Sequence, residues 1–282
     1  MLRALSDEAL HALLREDAPY GDISTIGLGL GDQPGRVVMA ARQPMTVCGS
    51  EEAARLFELV GATATVLSPS GKHVLADAQL LSAQGRADTL LLAWKVAQTL
   101  MEYASGIASE AARIVTELRA AGHTVPLACT RKAFPGSRAL SVKAVYSGGA
   151  VMHRNGLSDS LLLFPEHRVF VEGHMDDTIG RLRRAQPEKR LVVEVASLQE
   201  ALAMAEAGAE VLQLNRFTPD AVRQCKLTLH KSHLHPMLAV AGGVNAGNAV
   251  AYADAGADVL VSSAPYHAKP CDVEVRFARA TV

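Results

Sequence analysis

Ala205–Leu212 has the sequence AEAGAEVL, and Ala253–Leu260 repeats it as ADAGADVL. The two segments match at six of eight positions, and both differences exchange glutamate for aspartate. An alanine-rich helical pattern precedes each copy and an apolar run follows it, with Gly208 and Gly256 in between. Glycine adopts the left-handed backbone past a helix end at little cost. The repeat therefore predicts two helix-to-strand turns of an α/β fold.

Short apolar runs, mostly separated by helical patterns, extend outward from this repeat. The predicted strands are Val125–Thr130, Ser160–Phe164, Leu191–Val195, Val211–Asn215, Met237–Ala241 and Val259–Ser263. The predicted helices are Met175–Arg184, Ser197–Ala207, Pro219–Leu227 and Asn245–Ala255. Such alternation is typical of an α/β barrel or a doubly wound sheet. The repeated unit, and the lack of a GxGxxG motif after the first strand, favour the barrel.

The first part of the chain has a different pattern, with more turn signals and shorter apolar runs. It contains candidate strands at Arg36–Ala41 and Asp77–Gln84, and candidate helices at Glu51–Leu59 and Leu90–Leu118. We predict a small α/β domain over 1–105 and a barrel over 106–267. The tail 268–282 is a candidate to return to the small domain.

Composition restricts the classes of protein. Hydrophobic residues make up 49% of the 282 residues and charged residues 20%, which suits a large aliphatic core. The formal net charge of −1 excludes a global basic field for nucleic acid or membrane. Four scattered cysteines without a CxxC pair predict buried thiols in a reducing compartment. The N-terminal residues lack the pattern of a signal peptide, so we expect a cytoplasmic protein.

Cations and small residues lie where the predicted strands end, with one carboxylate among them. They are Arg131, Lys132, Glu194, Asn215, Gly242, Gly243, Ser262 and Ser263, joined by His153 and Arg154 before the second strand. Alone, the Arg-Lys, His-Arg and Gly-Gly pairs are more often solvated loops or turns, whereas a carboxylate such as Glu194 at the end of an apolar strand is costly unless it is used. The carboxyl ends of parallel barrel strands carry the chemistry, however, and a glycine pair there commonly holds phosphate. Together they predict a concave site for an anionic, phosphorylated substrate.

A histidine cluster, HKSHLH, offers a competing site. His230, His233 and His235 have spacing that a metal ion could use. The cluster lies between a helix and the start of a strand, at the amino end of the predicted barrel. That position favours a polar surface loop, and we predict that these histidines are not metal ligands.

Several motifs resemble a known enzyme family. The stretch TRKAFPGSRALSVKAVYSGGAVMHRNGLSDSLLL resembles the signature of the quinolinate phosphoribosyltransferase (nicotinate-nucleotide pyrophosphorylase) family. EDAPYGDIST (Glu16–Thr25), YASGIAS (Tyr103–Ser109) and VAGGVN resemble further elements of that family, in order along the chain. Within the family the chain is most similar to the ModD branch, pyrophosphorylases associated with molybdenum-transport genes.

The resemblance implies a fold, a reaction and an assembly. The fold would be an open TIM-like (β/α) barrel with an N-terminal α/β sandwich domain. The family transfers phosphoribose from phosphoribosyl pyrophosphate to a nitrogen of pyridine-2,3-dicarboxylate, with magnesium, and releases pyrophosphate and carbon dioxide. The assembly would be a head-to-tail homodimer or a higher oligomer, in which one small domain closes its partner's barrel.

The resemblance also assigns roles to residues. The acid-substrate pocket would comprise Thr130, Arg131, Lys132, His153 and Arg154. Lys95 would reach into the neighbouring subunit, while Glu194 and Asn215 would handle ribose and magnesium. Gly242, Gly243, Ser262 and Ser263 would hold the 5-phosphate. Lys132 and Glu194 would be catalytic.

Four departures from the family pattern change what we expect. Phe164 stands where the family has a substrate-binding lysine, and Asn215 where it has a second acidic residue. Lys95 replaces an arginine, and Ala241 replaces a serine. We therefore expect a phosphoribosyltransferase-type glycosyltransferase whose aromatic acidic acceptor is not quinolinate, with weakened magnesium binding. The alternatives are a non-catalytic anion- or nucleotide-binding paralogue linked to molybdate uptake, and another phosphate-handling barrel enzyme.

Overall fold

Helices and a small antiparallel sheet form the beginning of the chain. The structure is a computed structural model, and it describes residues 2–280. The elements are α1 (Asp7–Asp17), α2 (Ile23–Leu28), β1 (Pro34–Ala41), β2 (Met45–Thr46), α3 (Ser50–Leu59), β3 (Thr63–Val66), β4 (His73–Val74), β5 (Gln79–Arg86) and α4 (Ala87–Ala120). No helix in the described part is both long and apolar enough to cross a membrane.

Strands and helices alternate in the rest of the chain. The elements are β6 (Leu127–Cys129), α5 (Arg138–Ser147), β7 (Val151–Met152), β8 (Leu161–Leu163), α6 (Pro165–Arg168), α7 (Met175–Ala185), β9 (Leu191–Val195), α8 (Leu198–Glu206), β10 (Val211–Asn215), α9 (Pro219–Lys231), β11 (Met237–Ala241), α10 (Ala249–Asp254), β12 (Val259–Ser262), a 3-10 helix (Ala264–His267) and β13 (Val273–Arg279).

Contacts within the chain divide it into two units. One unit contains the chain up to Ala112, Phe134–Gly149 and the end of the chain from Pro265; the other contains Arg113–Ala133 and Ala150–Ala264. The predicted limits of 1–105 and 106–267 stay predictions. In the first unit the strand order is β13-β1-β5-β3, so the last strand pairs antiparallel with the first.

Apolar residues on the first sheet and on α3 form the core of this unit. Val37 and Met39 of β1 and Leu56 and Phe57 of α3 are fully buried. Leu10 of α1 packs into the same cluster, and the helix begins where Ser6 accepts a hydrogen bond from the Ala9 backbone. Burying one such side chain stabilises the fold by about 1.5–3 kcal/mol.

A buried ionic network ties α5 to α3. The Lys143 ammonium lies 2.8 Å from Glu51 and 2.6 Å from Glu52, and Glu52 is fully buried. Burial alone would raise the pKa of Glu51, but hydrogen bonds from Lys143 and Ser70 lower it to about 2. Each of these three charged groups therefore has an oppositely charged partner inside the unit, where an unpaired charge would be strongly destabilising.

The second unit is an open parallel barrel. Among the described residues, seven strands pair in the order β7-β6-β12-β11-β10-β9-β8, and each neighbouring pair is parallel. The gap falls between β7 and β8, which are the second and third strands of the barrel along the chain. The predicted fold class, an open TIM-like barrel with an N-terminal α/β sandwich domain, is confirmed.

The repeated segments form equivalent turns, as predicted. Gly208 and Gly256 have φ values of +98° and +94°. The backbone N–H of Ala209 closes on the carbonyl of Met204 at 2.9 Å, and that of Ala257 closes on the carbonyl of Tyr252 at 3.1 Å. Each turn ends a helix with left-handed glycine geometry and starts a strand.

The acidic residues of the repeat fasten neighbouring strands. Glu210 accepts a hydrogen bond from the Leu191 backbone at 2.9 Å, and Asp258 accepts one from Leu238 at 2.8 Å. Both bonds lie at the amino ends of strands. The repeat therefore serves the structure of the barrel, opposite to the end where chemistry is expected.

The four cysteines are free and buried. Burial raises the pKa of Cys48 and Cys225 to about 11 and that of Cys129 to about 12. Burial also raises the pKa of Cys271. These thiols stay protonated near neutral pH and are poor nucleophiles, which confirms the prediction of buried thiols.

Candidate active site

Four basic residues lie together at the carboxyl ends of β6 and β7. The two strands pair, and the His153 backbone donates to the Cys129 carbonyl at 2.8 Å. Arg131 and Lys132 therefore follow one strand at the edge where His153 and Arg154 follow the next. The structure brings together these predicted members of the acid-substrate pocket.

Arg154 is the buried member of this cluster. It is 6% exposed, and its guanidinium carbon lies 5.2 Å from the centre of the Phe164 ring. Burial lowers the pKa of Arg154, and the positive charge of Arg131 lowers it further. Within residues 2–280, Arg131, Lys132 and Arg154 form no ion pair with a carboxylate. A buried cation normally has such a partner, so the cations at the ends of β6 and β7 lack a compensating negative charge.

His153 is held in its neutral form by the same surroundings. Burial lowers its pKa below the ordinary value of 6.5, and the neighbouring Arg154 lowers it further. A neutral imidazole can donate one hydrogen bond and accept another. It adds no charge to the cluster near neutral pH.

His153 should make stability depend on pH. Its folded pKa lies below its unfolded pKa, so between these two values the unfolded chain binds more protons. The contribution of His153 to the stability of the folded protein is present above about pH 6.5. It is lost as the pH falls toward the pKa of His153 in the folded protein. Melting temperatures from pH 7.5 to 5 should therefore fall less in a His153→Gln variant than in the unmodified protein. Parallel curves would contradict this assignment.

A carboxylate and two amides occupy the carboxyl ends of β9 and β10. Gln213 donates to one oxygen of Glu194 at 2.5 Å, and Asn215 donates to the other at 3.4 Å. The second amide atom of Gln213, Oε1, is buried without a hydrogen-bond partner in the described structure. Sequence reasoning missed Gln213. The signal was its alternation with Asn215 in VLQLN, which places both side chains on one face of the strand.

Gly242 and Gly243 form a left-handed turn after β11. Their φ values are +88° and +94°, and both are exposed. No acceptor in the described residues takes either backbone N–H. A Cβ atom on Gly242 would lie 2.7 Å from Cγ of Arg216 and 2.8 Å from Oδ1 of Asn215. The turn thus presents two N–H groups and is packed closely against the end of β10.

The two serines after β12 have different surroundings. Ser262 is buried; its hydroxyl donates to the Val244 carbonyl at 2.6 Å and accepts from the Ala264 backbone at 3.0 Å. It fastens the glycine turn to β12, so its predicted contact with phosphate stays a prediction. The Ser263 hydroxyl lies 2.7 Å from that of Thr130, which brings these two predicted residues together.

Two arginines that sequence reasoning did not select also lie at these strand ends. Arg168 donates to the carbonyl of Glu194 at 3.2 Å, and its Nε is buried without a partner in residues 2–280. Arg216 follows Asn215 with φ of +59°, a conformation that an arginine rarely adopts. The local sequence does not indicate the hydrogen bond of Arg168 or the backbone conformation of Arg216, although QLNRF does show that a cation follows the strand.

Two predicted features lie elsewhere. Lys95 belongs to the first unit, where it is exposed, donates to Gln98 at 2.8 Å and lies 4.0 Å above the Trp94 ring. Its reach into a second subunit stays a prediction. His230 and His235 line a cavity of about 450 Å³ at the amino ends of the strands, with ring centres 4.6 Å apart. No group of three or more metal-binding side chains is found in the described part of the chain.

The chain is similar to known proteins over nearly its whole length. The family model for the C-terminal domain of quinolinate phosphoribosyl transferase matches residues 107–276, and that for the N-terminal domain matches 22–105. The ModD protein of Rhodobacter capsulatus is 50% identical over 87% of this chain and 95% of its own. Carboxylating nicotinate-nucleotide pyrophosphorylase of Homo sapiens is 29% identical over 88% and 82%, respectively. The crystal structure of nicotinate-nucleotide pyrophosphorylase from Ehrlichia chaffeensis, 23% identical, covers 97% of this chain and 99% of its own; the TM-score of 0.89 shows the same fold.

Proposed function

Because the chain belongs to the quinolinate phosphoribosyl transferase family, we propose that it transfers phosphoribose to an aromatic acidic acceptor other than quinolinate. The general activity is that of the family, a phosphoribosyltransferase or pyrophosphorylase acting on small molecules. The donor is phosphoribosyl pyrophosphate. The acceptor and the roles of individual residues are the new part of the proposal.

The observation that carries the proposal is the cluster of Arg131, Lys132 and Arg154. These cations form no ion pair in the described structure, and Arg154 is buried. Arginine and lysine bind carboxylates strongly where water is excluded. The acceptor carboxylate would supply the missing negative charge, with His153 as a neutral hydrogen-bonding neighbour.

Phe164 supports an acceptor with fewer carboxylates than quinolinate. Its ring lies against the Arg154 guanidinium, at the position where the family pattern has a lysine. One fixed cation is thereby exchanged for an apolar aromatic surface. An aromatic ring can stack on that surface, while a second carboxylate would have no cation there.

The donor would bind between the glycine turn and Glu194. The free N–H groups of Gly242 and Gly243 suit the 5-phosphate, and Ser263 with Thr130 lies on the adjoining strand ends. Positive charge develops on the ribose as the diphosphate leaves. Glu194 would stabilise that charge, and Lys132 would neutralise the leaving group.

Magnesium fits this site in a limited way. Mg²⁺ is often held by one or two carboxylates together with substrate phosphates, and Glu194 is one carboxylate. Gln213 and Asn215 place amides beside it, and the buried Oε1 of Gln213 is an additional oxygen. When bound, the ion would neutralise the diphosphate. Glu194 would hold it jointly with the substrate.

The test is pyrophosphate release from phosphoribosyl pyrophosphate, with magnesium and a panel of aromatic acids. We expect release with a monocarboxylic aromatic acid and little with quinolinate. The rate should fall at least about tenfold in Lys132→Ala and Glu194→Gln. Reactions without acceptor are the control. Tight binding of the donor without release for any acid would instead support the alternative function.

Exchanging Phe164 for lysine should shift acceptor preference toward dicarboxylates. A lysine at this position restores a cation for a second carboxylate, while it removes the aromatic contact with Arg154. Relative kcat/KM for quinolinate over the preferred monocarboxylic acid should rise about tenfold, the effect of one charged hydrogen bond. Phe164→Leu is the matched control, which should lower activity with both acids. An unchanged ratio would show that this position does not select the acceptor.

The second candidate is a non-catalytic anion- or nucleotide-binding paralogue linked to molybdate uptake. Asn215 favours it, because an amide stands where the family pattern has an acidic residue. The link with molybdate rests only on the resemblance of the sequence to the ModD branch. For either function we propose a cytoplasmic homodimer in which Lys95 completes the neighbouring site.

A further inference from the structure

We propose that Arg216 binds the diphosphate of the phosphoribosyl donor and supplies, as a fixed positive charge, part of the neutralisation that a divalent cation would provide. This inference rests on the proposed function, in which diphosphate is the leaving group. In that step the bond between ribose C1 and a diphosphate oxygen breaks, and the oxygen keeps the electron pair. C1 then bonds to the acceptor nitrogen.

The backbone of Arg216 is fixed at the edge of the site. Its N–H donates to the Ala241 carbonyl at 2.8 Å, one residue beyond the end of β10. Its φ of +59° would suit glycine or asparagine far better than arginine. An arginine kept in an unfavourable backbone conformation at a strand end indicates a function for its side chain.

The side chain of Arg216 starts beside the glycine turn. A Cβ atom on Gly242 would lie 2.7 Å from Cγ of Arg216, so the absence of a side chain on Gly242 makes room for the arginine. Arg216 is exposed and lines a cavity of about 280 Å³ with residues of the β9–α8 and β10–α9 loops. Its side chain is therefore accessible to a ligand.

The surrounding charges leave Arg216 available for an anion. No carboxylate in residues 2–280 forms an ion pair with it, whereas Arg223 on the next helix is paired with Asp220 at 2.8 Å. The neighbouring Glu194 already accepts hydrogen bonds from Gln213 and Asn215. One carboxylate holds a divalent cation weakly, while a planar guanidinium binds two phosphate oxygens at once.

Calorimetric titration with inorganic pyrophosphate tests the inference, in EDTA and in magnesium chloride. We expect the unmodified protein to bind pyrophosphate in EDTA. Arg216→Asn should weaken that binding at least about tenfold, and less in magnesium. Arg216→Lys should show an intermediate loss. Arg223→Asn, an exposed arginine on α9, should bind as the unmodified protein does.

Melting temperatures separate lost binding from misfolding. Asparagine tolerates the left-handed backbone, so Arg216→Asn should melt no lower than the unmodified protein. Undetectable binding in EDTA, or equal affinity in Arg216→Asn, would overturn the inference. Arg216-dependent binding without pyrophosphate release for any acceptor would uphold it and remove the proposed function. Pyrophosphate release with an unchanged KM for phosphoribosyl pyrophosphate in Arg216→Asn would overturn the inference and support the proposed function.

Discussion

Replacing Arg154 by methionine should severely reduce transfer to the acceptor and, at the same time, raise the melting temperature of the ligand-free protein. Arg154 is buried beside Arg131, without a carboxylate partner among the described residues. An unpaired buried cation destabilises the folded state, and methionine fills a similar volume without charge. With an anionic acceptor, the same cation becomes half of a desolvated pair.

Losing one half of such a pair costs about 4 kcal/mol, so kcat/KM should fall on the order of a thousandfold. Initial rates of pyrophosphate release and thermal melts, each with and without acceptor, measure both effects. Arg184→Met, an exposed arginine on α7, is the control and should change neither. A lower melting temperature together with retained activity would show that Arg154 has a structural role.

Gly242→Ala should be severely damaging, because its position allows no side chain. The new methyl group would lie 2.7 Å from Cγ of Arg216, 2.8 Å from Oδ1 of Asn215 and 3.0 Å from the Arg216 backbone nitrogen. The φ of +88° adds strain for alanine. We expect a loss of about 2–3 kcal/mol in unfolding free energy and at least a hundredfold loss of pyrophosphate release.

Gly243→Ala provides the matched comparison. Gly243 has nearly the same φ, +94°, but a Cβ atom there meets nothing within 4 Å. Its loss of unfolding free energy should be only about 1 kcal/mol, from backbone strain. Urea unfolding of both variants separates strain from collision. Equal losses of unfolding free energy in the two variants would mean that the turn after β11 is not packed closely against the end of β10.

The barrel was largely predictable from the sequence because its strands are locally distinct. The predicted strands Leu191–Val195, Val211–Asn215 and Met237–Ala241 coincide with β9, β10 and β11. Each is a continuous apolar run that a parallel barrel buries, and glycine turns mark two of the boundaries. A repeated local pattern thus identified both the element type and the architecture.

The elements that were missed depend on distant partners. β7 has two residues and exists because β6 pairs with it, so no periodicity could reveal it. α5 contains the buried Lys143, which forms ion pairs with Glu51 and Glu52, remote in sequence. A lysine in a short segment of mixed polarity does not predict burial unless those partners are known.

The types of residue in the site could be predicted from the sequence better than the contacts that these residues form. Strand-end positions located the cations, Glu194 and the glycine turn. The sequence gives no sign that Ser262 would use its hydroxyl on backbone groups, or that Arg216 would have a left-handed backbone. Such features depend on how neighbouring loops pack, and strand periodicity carries no information about that.

The pairing of β13 with β1 has a consequence for the protein during its synthesis. β1 needs residues 273–279 to complete its sheet, although it is synthesised long before them. At roughly 5–20 residues per second, the ribosome leaves one edge of β1 unpaired for on the order of ten seconds or more. During that time nascent chains can pair edge to edge, so this strand is where slow translation or truncation should promote aggregation.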